Sequence, residues 1–239
     1  MNYIENPKTK GSGILCVIPQ YHKCPIGCED CFFQSGRSYL EPLEKNLPNI
    51  PPTDNYHLFR INDGNDSNNK RDQVMYVASR YPQRFYNTSI PKDLDFFDAP
   101  VVLTVNPGTM TDTDFFRLEH IPKNLMFVRI RTNTWNIDKV VCPAVNYYSS
   151  CSVPVVLTFM AYYKNQVPEK YVEDYIWRKR TLNSYWAITN FSWKKIMGIF
   201  NDNRLVHSCG KIEGEEGDTH CKFCGNCLRE YFATMERMR

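Results

Sequence analysis

The sequence predicts an α/β fold in which a mostly parallel sheet, with helices between its strands, curls toward a barrel. Three observations lead there. Apolar, β-branched runs recur along the chain, and most are continuous rather than alternating, as expected of strands buried on both faces. Each run is bounded by Pro, Gly, Asn or Asp and followed by a helical signal, so strand and helix alternate. The length of 239 residues fits one α/β barrel of about 200–250 residues. An open sheet of Rossmann type gives the same alternation.

Six strands are expected at 14–18 (ILCVI), 57–61 (HLFRI), 84–88 (RFYNT), 101–105 (VVLTV), 125–130 (LMFVRI) and 153–159 (VPVVLTF). The clearest helix spans 67–81: Ser67 can cap it, Val74, Val77, Ala78 and Tyr81 share a face, and Pro82 stops it. A second, at 111–120, opens on a Thr cap with an acidic first turn and ends before Pro122. A third, at 168–180, begins with Pro168 and finishes in Arg178, Lys179 and Arg180. A fourth, at 134–147, carries Pro143 and should kink there. The connection 31–56 is rich in Pro and has room for one short helix. The barrel is assigned to residues 1–190. Residues 191–239 form a C-terminal extension whose cysteine-rich tail from His207 is too short for its own core and must fold around a metal or pack against the barrel.

Composition excludes several classes. Apolar residues at 42% and aromatics at 14% describe a chain that buries a core. No apolar run approaches the roughly 18 residues of a membrane span, and mean hydropathy is -0.49. The start MNYIENPKTKGSG lacks the apolar stretch of a secretory signal, so a cytoplasmic location is expected. With 29 basic and 26 acidic residues, a net charge of +3 announces no polyanion partner. There is no P-loop, GxGxxG, HExxH or nucleophile-elbow motif, so hydrolytic and nucleoside-triphosphate chemistry lack support.

The chemistry is concentrated in ten cysteines, seven of them in two groups. Cys24, Cys28 and Cys31 follow the first strand directly, which in an α/β barrel is the rim where sites are built. Three thiolates spaced x3 and then x2 can ligate three irons of a four-iron cluster and leave the fourth without a protein ligand. Structural zinc and coincidental core thiols are the other readings. Cys209, Cys221, Cys224 and Cys227 supply four thiolates, enough to close a site around a second iron–sulfur cluster, around zinc or in disulfides. His207 and His220 stand beside them as neighbours rather than ligands. Cys16, Cys142 and Cys151 read as small buried hydrophobes.

The CxxxCxxC loop after the first strand resembles that of the radical S-adenosylmethionine superfamily. The resemblance covers roughly residues 13–160. It implies a partial (βα)6 TIM-type barrel, a [4Fe–4S] cluster on Cys24, Cys28 and Cys31, and S-adenosylmethionine chelated at the open iron. It further implies an electron donor such as flavodoxin or ferredoxin. The superfamily places an aromatic residue just before the third cysteine; here Asp30 stands there and Phe32 and Phe33 follow, which makes these two the candidates for the adenine contact. Gly64-Asn65-Asp66, after the second strand, resembles a degenerate form of the family's GGE segment, which holds the methionine amino group. By position at later strand ends, Asn106, Arg131 and Met160 would complete the pocket for ribose, carboxylate and adenine.

The tail resembles the auxiliary-cluster segments that follow the barrel in many members, without reproducing their spacing. It implies a second [4Fe–4S] cluster, with zinc as the alternative, and favours a peptide or protein side chain as substrate. A nucleoside or nucleic-acid base is the other enzymatic reading. Separately, Arg178, Lys179, Arg180, Lys194, Lys195 and Arg204 among Trp177, Trp186 and Trp193 read either as a phosphate-binding patch or as cations complementing a helix dipole. A non-catalytic zinc protein is the alternative from another class.

Overall fold

The computed structural model describes residues 2–28, 31–106, 117–163, 165–180, 184–210 and 220–239. Its elements, in chain order, are β1 (Ile14–Val17), α1 (Leu43–Asn46), β2 (Leu58–Ile61), α2 (Arg71–Ala78), β3 (Arg84–Thr88), β4 (Val101–Val105), β5 (Leu125–Thr132), α3 (Cys142–Ser150) and β6 (Val155–Phe159). They continue with β7 (Ala161–Tyr162), β8 (Tyr175–Arg178), β9 (Tyr185–Ile188), α4 (Asn190–Gly198), β10 (Val206–Ser208), α5 (Cys221–Cys224) and α6 (Asn226–Met238).

Seven strands form one all-parallel sheet in the order β1-β2-β3-β4-β5-β6-β10, curled into a half-barrel. All six expected strands are present. The seventh, β10, comes from the C-terminal stretch. Its three residues pair with β6 because that edge still has main-chain groups to satisfy: the Val155 N–H donates to Leu205 O at 2.8 Å, and the Cys209 N–H donates to Leu157 O at 2.8 Å.

Side-chain alternation separates two faces. Val17, Phe59, Ile61, Tyr86, Leu103, Ile130 and Leu157 pack with α2, α3 and α4 through Val74, Ala78, Ala144, Tyr148, Trp193 and Ile196. Right-handed crossovers put these helices outside. Ile14, Leu58, Phe85, Val102, Phe127 and Val156 point to the opposite, concave face, where Cys227 and Tyr231 of α6 pack on them. The tail therefore lies against the inside of the sheet.

Three helical expectations change. α2 starts at Arg71, not Ser67, because the Ser67 N–H is already donated to Asn87 O, at 3.0 Å, in the neighbouring strand end. The 134–147 stretch becomes a π-turn, Ile137–Val141, running into α3, with Pro143 in the first turn where no N–H is needed. The 168–180 helix is replaced by a 3-10 turn, Glu169–Asp174, and β8. Tyr175, Ile176, Trp177 and Arg178 pair antiparallel with Ile188, Ala187, Trp186 and Tyr185 of β9, which itself pairs with β7. Aromatic and β-branched residues gain more from that cross-strand packing than from a capped helix. Most of the 111–120 helix lies outside the described residues. No helix among the described residues is long and apolar enough to cross a membrane.

Candidate functional site

Cys24, Cys28 and Cys31 sit on the loop leaving the carboxyl end of β1, all half-buried. Asp30 lies outside the described residues. Anchors hold the loop at both sides. Asn65 Nδ2 donates to His22 O at 2.9 Å, and Gln34 Nε2 donates to Cys24 O at 2.6 Å. Between Cys24 and Cys31, no described backbone hydrogen bond ties the loop to the sheet. Burial, ahead of the neighbouring Asp66, Cys28 and Cys31, pushes the Cys24 thiol up to about 11. All ten cysteines are free thiols.

The loop is seated by an aromatic ring. Phe33 is 3% exposed and packs with Ile18, Leu40, Leu43 and Cys31. A Cβ on Gly64 would meet its Cδ2 at 2.2 Å, so the ring lies directly on the glycine backbone. Gly64 thus serves close approach rather than an unusual φ. Gly64→Ala is expected to overpack this contact, costing about 1–3 kcal/mol, and to slow cluster assembly on the cysteine loop. Thermal melts and iron uptake measure both, and Phe33→Leu in the same chain should restore them. A variant that melts and loads as wild type contradicts the contact. Phe32, by contrast, is 38% exposed, with Lys8 and Arg37 at 5.5 and 5.8 Å from its ring.

Asp66 is 3% exposed and its carboxylate is fully engaged. Oδ1 accepts from Thr88 Oγ1 at 2.8 Å and the Asn68 N–H at 2.9 Å. Oδ2 accepts from the Ser89 N–H at 2.7 Å and Ser89 Oγ at 2.9 Å. Four donors fill the roughly four acceptor positions of a carboxylate, so Asp66 pins the β2 loop to the end of β3. Asn65 is equally committed, its Oδ1 accepting from the Asp66 N–H at 2.9 Å. Asn106 is buried just after β4, Arg131 is half-buried near the end of β5, and Met160 follows β6 half-buried, all at the carboxyl end of the sheet.

Two of the tail cysteines, Cys209 and Cys227, pack on the concave face. Cys209 follows β10, Cys221 and Cys224 are the first and last residues of α5, and Cys227 lies in the first turn of α6. Gly225, at φ 62°, makes the break between the two helices. Asn226 Nδ2 donates to Ser208 O at 2.7 Å, tying the two halves of the site. A hydrogen bond with Cys224, together with the Arg129 and Arg60 guanidinium groups, holds the Cys209 thiol down at about 5 against burial. Burial pushes Cys221 up to about 11 and raises Cys227. Among the described residues, no three Cys, His, Asp or Glu side chains are placed to hold a metal ion.

Two inward residues were invisible to motif reasoning. Arg60 stands opposite Cys16, and Arg129 opposite Thr104 and Val156. Asp63, near Arg60, accepts from Asn6 Nδ2 at 2.6 Å and Tyr39 Oη at 3.4 Å. Cys16 is fully buried but not in apolar surroundings: Thr9 Oγ1 is 3.8 Å from its sulfur, and burial with the facing Asp63 keeps the thiol protonated. Cys142 and Cys151 are half-buried against the outer core. Trp193, offered as part of a basic surface patch, is 1% exposed and donates through Nε1 to Ser208 Oγ at 2.9 Å. It is core.

No family model, curated protein or solved structure matches this chain.

Proposed function

We propose that the chain is a radical S-adenosylmethionine enzyme built on a partial TIM-type barrel, with Cys24, Cys28 and Cys31 as the three protein ligands of a [4Fe–4S] cluster. The observation that carries this reading is the placement of three free thiols on one loop at the carboxyl end of the first strand of a curled, all-parallel sheet. The donor set suits the group. Thiolates are the ligands iron–sulfur clusters take, and three of them leave one metal position for a small molecule. When bound, the cluster and S-adenosylmethionine supply one-electron cleavage of the sulfonium, yielding methionine and a 5′-deoxyadenosyl radical that takes a hydrogen atom from the substrate, with flavodoxin or ferredoxin as the class of electron donor.

The chain's own residues do the rest. Phe33 on Gly64, Asn65 on His22 and Gln34 on Cys24 fix the two ends of the cysteine loop while leaving its middle able to close on a metal. Phe32, at the exposed side of that loop, is the ring available for stacking an adenine. Asn106, Arg131 and Met160 complete the rim from the ends of β4, β5 and β6. The apolar walls of the sheet keep water from a reactive species. A peptide or protein side chain is the substrate class we favour, because the C-terminal tail packs on the concave face of the sheet and Trp193, one of the three tryptophans of the basic patch, is buried in the core.

Anaerobic reconstitution with iron and sulfide, followed by dithionite and S-adenosylmethionine, tests the reading. 5′-Deoxyadenosine and methionine are expected in equal amounts, each dependent on dithionite. Protein loaded with cluster that forms neither product contradicts it.

A further inference from the structure

Between the cysteine loop and the three-stranded sheet β7-β9-β8 runs a contact that the chemistry described so far does not use. Arg37 lies on the segment that leaves the loop, and its guanidinium carbon sits 3.4 Å from the centre of the Tyr163 ring. At that distance the planar group is stacked on the ring face, an arrangement suited to Arg rather than Lys. The same carbon is 5.8 Å from the Phe32 ring and 5.8 Å from the Tyr185 ring. Arg37 Nε donates to Ser35 Oγ at 3.2 Å, and the Ser35 hydroxyl donates to Phe32 O at 2.9 Å. A chain of contacts therefore joins Tyr163, through Arg37 and Ser35, to the main chain of the residue after Cys31.

The far end of that chain is firmly held. Tyr163 directly follows β7, and the register that pairs Tyr162 with Trp186 sets it beside Tyr185 of β9. Alternation turns Tyr162 the other way. There it is 4% exposed, packs on Trp135 with ring centres 4.9 Å apart, and accepts from Asn133 Nδ2 at 2.9 Å. The small sheet is thus fixed to the end of β5 by one face and holds Arg37 on the other. Phe32 is not seated in the core: it is exposed, whereas Phe33 beside it is buried on Gly64.

We propose that Arg37 is a positioning residue, which carries the fixed position of the small sheet to Phe32 and so sets the ring that stacks the adenine of S-adenosylmethionine. Arg37 is outside the ligand set and takes no part in the cleavage step. The role of Phe32 rests on the function proposed above; the clamp between Arg37 and Tyr163 does not.

The reconstituted full chain tests the proposal. In Arg37→Leu, iron content and the maximal rate of 5′-deoxyadenosine formation are expected to match wild type. KM for S-adenosylmethionine should rise by roughly 5- to 30-fold, the factor that one cation–π contact represents. Tyr163→Leu should reproduce this. Tyr163→Phe keeps the ring, and Tyr163 Oη has no hydrogen-bond partner, so that variant should behave as wild type. Arg37→Lys keeps a cation over the ring but loses the planar link to Ser35, and should fall between. The melting temperature of the cluster-free chain is the second readout. Arg37→Leu and Tyr163→Leu should each lower it by roughly 2–4 °C, and together by no more than the larger single effect, because both remove one contact. Additive shifts overturn the clamp. Shared shifts with an unchanged KM overturn the positioning role. Absence of 5′-deoxyadenosine from every chain, wild type included, overturns the positioning role together with the function proposed above, while the melts still decide the clamp.

Discussion

Cys28→Ala is expected to abolish dithionite-dependent 5′-deoxyadenosine formation, by at least about a thousandfold if one-electron cleavage depends entirely on the cluster. Cys28 is the middle cysteine of the three proposed ligands, on a loop fixed at His22, Cys24 and Phe33. Removing its sulfur leaves two thiolates, too few to hold a four-iron cluster by three corners. Cys24→Ala and Cys31→Ala should do the same. Cys16→Ala, which deletes a buried thiol of β1 outside the proposed ligand set, should leave S-adenosylmethionine cleavage within a few-fold of wild type. Quantifying 5′-deoxyadenosine and methionine across the four variants separates ligation from general damage. Product formation in Cys28→Ala comparable to wild type removes the triad from the chemistry.

Asp66→Ala should produce the largest stability loss among substitutions at this rim. The carboxylate collects four donors from Thr88, Ser89 and Asn68 while nearly inaccessible to water. Each hydrogen bond to a charged group contributes about 1.5–3 kcal/mol, and each buried donor left orphaned costs about 1–3 kcal/mol. A net loss of at least about 3 kcal/mol is expected even after relaxation, which lowers the melting temperature by roughly 6–12 °C in a chain of this size. Asp66→Asn retains one carbonyl acceptor but turns an amide N–H₂ toward donors, so it should fall between. Thr88→Val, which removes one donor, should cost about 1 kcal/mol. Calorimetry or circular dichroism melts check the order. An Asp66→Ala chain that melts as wild type while losing affinity for S-adenosylmethionine would make the carboxylate a ligand contact instead of a pin.

The strands were legible because burial on both faces writes itself into sequence as runs such as VVLTV and LMFVRI, and even RFYNT, with little apolar content, found its place between two stronger neighbours. β10 was not legible. Val206, His207 and Ser208 carry no apolar run, and they are a strand only because the open edge of β6 accepts them. At 168–180 local signals misled: Pro168 and a basic end describe a capped helix, while Tyr175 to Arg178 answer to β9, a partner reached only through tertiary contact. That seven cysteines fall into two groups is legible from spacing alone; their geometry is not, and among the described residues no three metal-ligating side chains are brought together. Arg60 and Arg129 could not be read at all, since an arginine inside HLFRI or LMFVRI looks like an edge residue until the register places it on the concave face beside the tail.

Electron paramagnetic resonance of the dithionite-reduced protein, recorded in a chain whose tail carries Cys221→Ser and Cys224→Ser and repeated after adding S-adenosylmethionine, tests the central claim most directly. The account predicts a reduced four-iron cluster signal whose g values move when S-adenosylmethionine is added, because the ligand enters the iron that Cys24, Cys28 and Cys31 leave open. A signal indifferent to S-adenosylmethionine, or protein that takes up zinc and no iron, would contradict it.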